Sequence, residues 1–63
     1  MTEYKEGDIV KNAECVGVGA KGDAIFKTSD GFIIIVKDKI EVGNTCNLKV
    51  TKRVRNCGFG EVI

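Results

Sequence analysis

The chain carries few residues that could do covalent chemistry. Ser29 is the only serine, and with no histidine anywhere it has no partner to activate it. The carboxylates are scattered, and none recurs at a spacing that implies a general acid/base pair. Three cysteines, Cys15, Cys46 and Cys57, are widely spaced and include no C-x-x-C pair. A zinc or iron–sulfur site needs paired spacing and a fourth ligand, so these cysteines read as small buried hydrophobes with free thiols. Gly17-Val18-Gly19-Ala20-Lys21-Gly22 matches G-x-G-x-x-G by letter. A dinucleotide site needs a helix after that motif, whereas Ala24-Ile25-Phe26-Lys27-Thr28 has the pattern of a strand, so the glycines read as a turn. Enzyme activity, a cofactor, a bound metal and a small-molecule substrate are all unexpected.

What remains is charge beside aromatic rings. The formal net charge is +1, but residues 1–30 hold four basic and six acidic side chains, while residues 31–63 hold six basic and three acidic. Lys49, Lys52, Arg53 and Arg55 fall in one short segment without an acid, a local footprint for a phosphate backbone. Three phenylalanines, Phe26, Phe32 and Phe59, lie among basic residues. Ile25 and Phe26 must face opposite ways in a strand. With Ile25 in the core, Phe26 becomes a surface ring beside Lys27, suited to stacking on single-stranded bases. Phe59 shares its face with Cys57 and Glu61, and Glu61 argues that this face is outward. The bland alternative places all three rings in the core of a small domain.

The elements that must hold these residues are short strands. A chain of 63 residues makes one domain with a small core. No segment shows a sustained 3.6-residue apolar period, and glycine, asparagine and aspartate punctuate the apolar runs. The pattern predicts strands over Asp8–Val18, Ala24–Ser29, Phe32–Val36, Cys46–Val54 and Asn56–Ile63, with a loop over Lys37–Thr45. Asp30-Gly31 predicts a two-residue type I′ hairpin in which both residues take positive φ. A tight turn is expected near Arg55-Asn56. Alternation places Cys46, Leu48 and Val50 inward and Lys49 and Thr51 outward. Five short strands with eight glycines suggest a closed or nearly closed barrel, because closure removes exposed edges. Gly58 and Gly60 lie two apart on one face, where another strand is expected to cross closely. Residues 1–6 form a polar tail of mixed charge, unlike a signal peptide. The longest apolar run, Phe32–Val36, is far too short to span a membrane. The location expected is cytoplasmic.

The ordered set Gly19-Ala20-Lys21-Gly22-Asp23-Ala24-Ile25, Asp30-Gly31-Phe32-Ile33-Ile34-Ile35-Val36, Val42-Gly43, Val50-Thr51-Lys52 and Asn56-Cys57-Gly58-Phe59-Gly60-Glu61-Val62-Ile63 resembles the TRAM domain, from about Gly7 to the C-terminus. The resemblance implies an all-β fold, a small five-stranded OB-like β-barrel spanning residues 1–63. It also implies binding to RNA, as in the free-standing archaeal members, which resemble cold-shock proteins and are read as RNA chaperones. The chain departs from the family at several places. Ala24 stands where the family tends to have glycine, Ile35 where it has an aromatic, and Lys37 where it has proline. Cys57 often corresponds to an aromatic, and Gly58 and Gly60 to alanines. Missing aromatics at two places weakens any stacking surface that used them.

The reading is therefore a monomeric binder of single-stranded or loosely structured RNA, such as tRNA or rRNA, with low sequence specificity. Lys21, Lys27, Lys37, Lys39, Lys49, Lys52, Arg53 and Arg55 are the expected phosphate contacts. Phe26, Phe32 and Phe59 are the expected stacking rings. The competing reading is a protein-interaction barrel docking on a ribosome or a larger enzyme assembly, which the near-zero net charge favours.

Overall fold

The structure, a computed structural model, describes residues 4–54 and 57–63. Five strands, β1 (Ile9–Val18), β2 (Ala24–Lys27), β3 (Ile33–Val36), β4 (Thr45–Arg53) and β5 (Cys57–Val62), form a closed barrel in the order β1-β2-β3-β5-β4. All neighbours are antiparallel except β3 and β5, which run parallel. The all-β, five-stranded, OB-like expectation holds. Strand boundaries differ from the sequence reading by one or two residues, most at the C-terminal end of β2. Arg55 and the turn expected at Arg55-Asn56 lie outside the described residues. No helix among the described residues is long and apolar enough to cross a membrane.

Closure rests on β1, which pairs with β2 on one side and β4 on the other. A strand shared in this way must bend sharply, and β1 does so through two register shifts, one at Val10/Ala13 and one at Cys15/Gly17. Asn12 sits in the first of them with φ of +57°, and its N–H donates to Asn47 Oδ1 at 3.1 Å.

The core is Val10, Ala13, Cys15, Ala24, Phe26, Ile34, Val36, Leu48 and Val50. Phe26 faces inward and is fully buried, contrary to the expectation of a surface ring, while Ile25 faces out and is half-buried. The reason is volume. Ala13, Cys15, Ala24, Gly58 and Gly60 leave the interior short of bulk, and one large ring fills it, as close packing requires. The small residues are equally needed. An added Cβ at Gly60 would stand 2.9 Å from the Lys49 carbonyl oxygen and 3.0 Å from Ile34 Cγ2. The close crossing expected at this glycine pair is present. Cys15 is fully buried, its Sγ 3.4 Å from the Gly17 carbonyl, whereas Cys46 is only half-buried at the edge of the core. All three cysteines are free thiols.

The β2–β3 connection differs from the predicted type I′ turn. Thr28 N–H donates to the Phe32 carbonyl and Gly31 N–H to the Thr28 carbonyl, both at 2.9 Å. Only Gly31 has positive φ, +88°. This is a three-residue loop, a type I turn closed by a left-handed glycine. Ser29 and Asp30 keep the negative φ that L side chains prefer, and the whole left-handed demand falls on glycine. The β1–β2 turn repeats the device: Gly22 N–H donates to the Gly19 carbonyl, Gly19 N–H to the Asp23 carbonyl, and Gly22 has φ of +88°. The G-x-G-x-x-G string is thus a hairpin turn followed by a strand. Gly31→Val should destabilise the barrel by more than ~1 kcal/mol, since a β-branched residue resists this conformation. Urea denaturation of the variant checks this.

Candidate nucleic-acid interface

The outer surface of β2, β3 and β5 is where the barrel presents rings and apolar side chains beside cations. With Ala24, Phe26, Ile34, Val36 and Gly58 committed to the interior, alternation turns Ile25, Ile33, Ile35, Cys57 and Phe59 outward, and all five are half-buried. Ladder register sets them in rows. Ile25 lies opposite Ile35 and Ile35 opposite Phe59, while Lys27, Ile33 and Cys57 make the next row. Strands ~4.8 Å apart make each row a continuous patch across the sheet.

A bulge in β4 completes the Phe59 row with a charge. Continued alternation from Leu48 and Val50 would aim Lys52 into the core. Instead the register shifts between Val50, opposite Gly60, and Lys52, opposite Phe59, so that Thr51 is the extra residue. Thr51 and Lys52 are both exposed, and Thr51 Oγ1 donates to the Phe59 carbonyl at 3.2 Å, tying the bulge to β5. The shift also returns Arg53 to the phase of Gly58, whose added Cβ would meet Phe32 at 3.3 Å. Re-aiming side chains in this way is what bulges do.

These elements enclose an open groove of about 530 Å³ lined by Ile35, Lys37, Asp38, Thr51, Lys52, Phe59, Gly60 and Glu61. Phe59 supplies the flat apolar floor, Lys37 and Lys52 the positive charge, and Asp38 and Glu61 two carboxylates. The groove can seat a planar apolar group while its cations face an anion. It holds no nucleophile with an activating base.

The residues expected at an RNA site divide accordingly. Lys37, Lys52 and Phe59 come together in the groove, and Lys27 ends the neighbouring row. Phe26 is withdrawn: a fully buried ring cannot stack on a base. Phe32 is half-buried at the other end of the barrel, where β2 and β4 finish. Its ring lies 5.0 Å from that of Tyr4, and the Arg53 guanidinium sits 5.8 Å from its centroid. Tyr4 Oη donates to Asp30 Oδ2 at 3.1 Å, so the supposed tail is anchored from Tyr4 onward. This cluster closes the end of the barrel. Lys21 is on the β1–β2 turn, Lys39 on the β3–β4 loop, and Lys49 on the outer face of β4 opposite Glu61; none of the three lines the groove. Sequence reasoning missed Ile35, Thr51, Asp38 and Glu61 as site residues. The parity of Ile35 with Phe59 across a parallel pair has no local signal, although the alternation of Cys57, Phe59 and Glu61 was visible.

No family model matches this chain, and no curated protein does. It is similar to the solution structure of a conserved protein of Methanococcus maripaludis, with a TM-score of 0.79 and 29% sequence identity over 94% of this chain and 80% of that one. The barrel is therefore shared with an archaeal protein.

Proposed function

We propose that this barrel is a TRAM-like RNA-binding protein that holds single-stranded or loosely structured RNA at the Phe59 groove. The observation that carries the reading is the row Ile35–Phe59–Lys52, an aromatic ring flanked by an aliphatic side and a cation on an open face. Stacking on such a ring is tolerant of sequence, because every base has a π-face. Lys37 and Lys52, with Lys27 beside them, would take the phosphates. The resemblance of the sequence to TRAM domains supports the same reading, as does the barrel shared with an archaeal protein. A cold-shock-like chaperone role then needs no nucleotide hydrolysis. Binding only to unpaired bases shifts RNA toward its melted forms by mass action, and weak binding releases it to refold.

The test is a titration of a labelled unstructured RNA at several salt concentrations. Neutralising about three phosphates predicts a slope of log K against log salt near −2, from about −0.7 per contact on single strands. Lys52→Ala should flatten the slope by about 0.7 and weaken all sequences alike. An affinity that does not change with salt would contradict the reading. The second reading, protein docking, is favoured by Ile9, Val16 and Val18, apolar side chains of β1 that are 47%, 46% and 54% exposed.

A further inference from the structure

The groove carries more than a phosphate track requires. Two carboxylates, Asp38 and Glu61, share it with two lysines, so its lining is formally neutral. Carboxylates beside a stacking ring repel a phosphate backbone, and a site that only followed phosphates would be weakened by them. Their placement suits a different part of the ligand. Glu61 follows Phe59 by two residues on the same outward face of β5, a rise of about 6.8 Å. From there its carboxylate can meet the edge of a purine stacked over the Phe59 ring. An ionised carboxylate only accepts hydrogen bonds, through two oxygens side by side. Guanine alone among the four bases presents two adjacent donors on its Watson–Crick edge, N1–H and the 2-amino group. Uracil N3–H is flanked by two carbonyls that face the carboxylate unfavourably. Adenine and cytosine each offer one amino group beside an acceptor nitrogen.

We propose that the Phe59 groove takes an unpaired guanine, with its base stacked on Phe59 and its N1–H and 2-amino group donated to the Glu61 carboxylate. This rests on the RNA-binding reading above and adds to it a base preference at one position. Elsewhere along the strand, contacts to phosphate and sugar remain indifferent to sequence.

The test uses the whole chain and labelled uridine heptamers carrying guanosine, inosine, adenosine or uridine at the centre, followed by fluorescence anisotropy. The guanosine heptamer should bind about tenfold tighter than the all-uridine one, the discrimination a good bidentate pair provides. Inosine, which lacks the 2-amino group, should fall between them. In Glu61→Gln the guanosine preference should drop below about twofold, while all-uridine binding holds or strengthens, because a negative charge has left the phosphate path. Asp38→Asn should strengthen binding of all four heptamers alike and keep the preference. Equal binding of the four heptamers, sensitive to salt and to Phe59→Ala, overturns the guanine proposal and leaves RNA binding standing. A preference that survives Glu61→Gln, or vanishes in Asp38→Asn, also overturns it. Failure of every heptamer to bind removes the RNA reading itself and this proposal with it.

Discussion

Replacing Phe26 with alanine is expected to cost about 3–5 kcal/mol of folding stability, the range for a fully buried phenylalanine. The ring has no exposed surface, and its ladder partners Cys15 and Ile34 are fully buried with it on the inner face of the barrel. The other large buried side chains are Ile34, Leu48, Val36 and Val50, each held by the ladder of a closed sheet. None of them can swing into the vacated volume without breaking its own strand, so the cavity stays open. Domains below ~70–80 residues rarely draw more than ~3–5 kcal/mol from a single core, which puts the loss near the whole stability of the protein. Thermal melting by circular dichroism measures this. A loss under about 1 kcal/mol would contradict the placement of Phe26. RNA affinity should fall in this variant only as far as the folded fraction falls.

Phe59→Ala reverses the pattern. The ring is half-buried on the outer face, so truncation should cost under about 1.5 kcal/mol of stability, a typical value for a partly exposed site. Affinity for an unstructured RNA should drop by about 1–3 kcal/mol, the contribution of one base–ring stack. Phe59→Leu separates flatness from hydrophobicity. Leucine preserves apolar contact with Ile35 but offers no plane, so it should lose most of the affinity while melting close to the parent. Binding measured on both variants beside their melting curves decides the matter. Unchanged affinity in two folded variants would remove stacking from the account and favour docking through the exposed apolar residues of β1.

The contrast between these phenylalanines marks what could be read from the sequence. The strand count, the small-barrel class and the need for small residues at Gly58 and Gly60 all follow from local signals: alternation, glycine content and short apolar runs. The orientation of β2 does not. Ala24-Ile25-Phe26-Lys27 alternates equally well with either apolar residue inward, and only the volume left by small residues on β1 and β5 decides for Phe26. Ile33-Ile34-Ile35-Val36 is apolar throughout and carries no alternation, so nothing local shows Ile35 beside Phe59. The parallel pairing of β3 with β5 is likewise non-local. Lys52 was legible as a surface cation, but the bulge that turns it outward next to Phe59 was not. The Asp30-Gly31 signal located its hairpin correctly and mistook the loop length, because a type I turn with one left-handed glycine needs fewer strained residues than type I′.

The most direct test of the central claim is a backbone amide NMR titration of the folded protein with an unstructured RNA. The account predicts that perturbed amides cluster at Ile35, Lys37, Asp38, Thr51, Lys52, Phe59 and Glu61, the lining of one groove, and extend toward Lys27 and Cys57. Ile9, Val16 and Val18, the exposed apolar residues of β1, should stay still. Shifts confined to those residues of β1, or none at RNA concentrations far above the protein's, would contradict it.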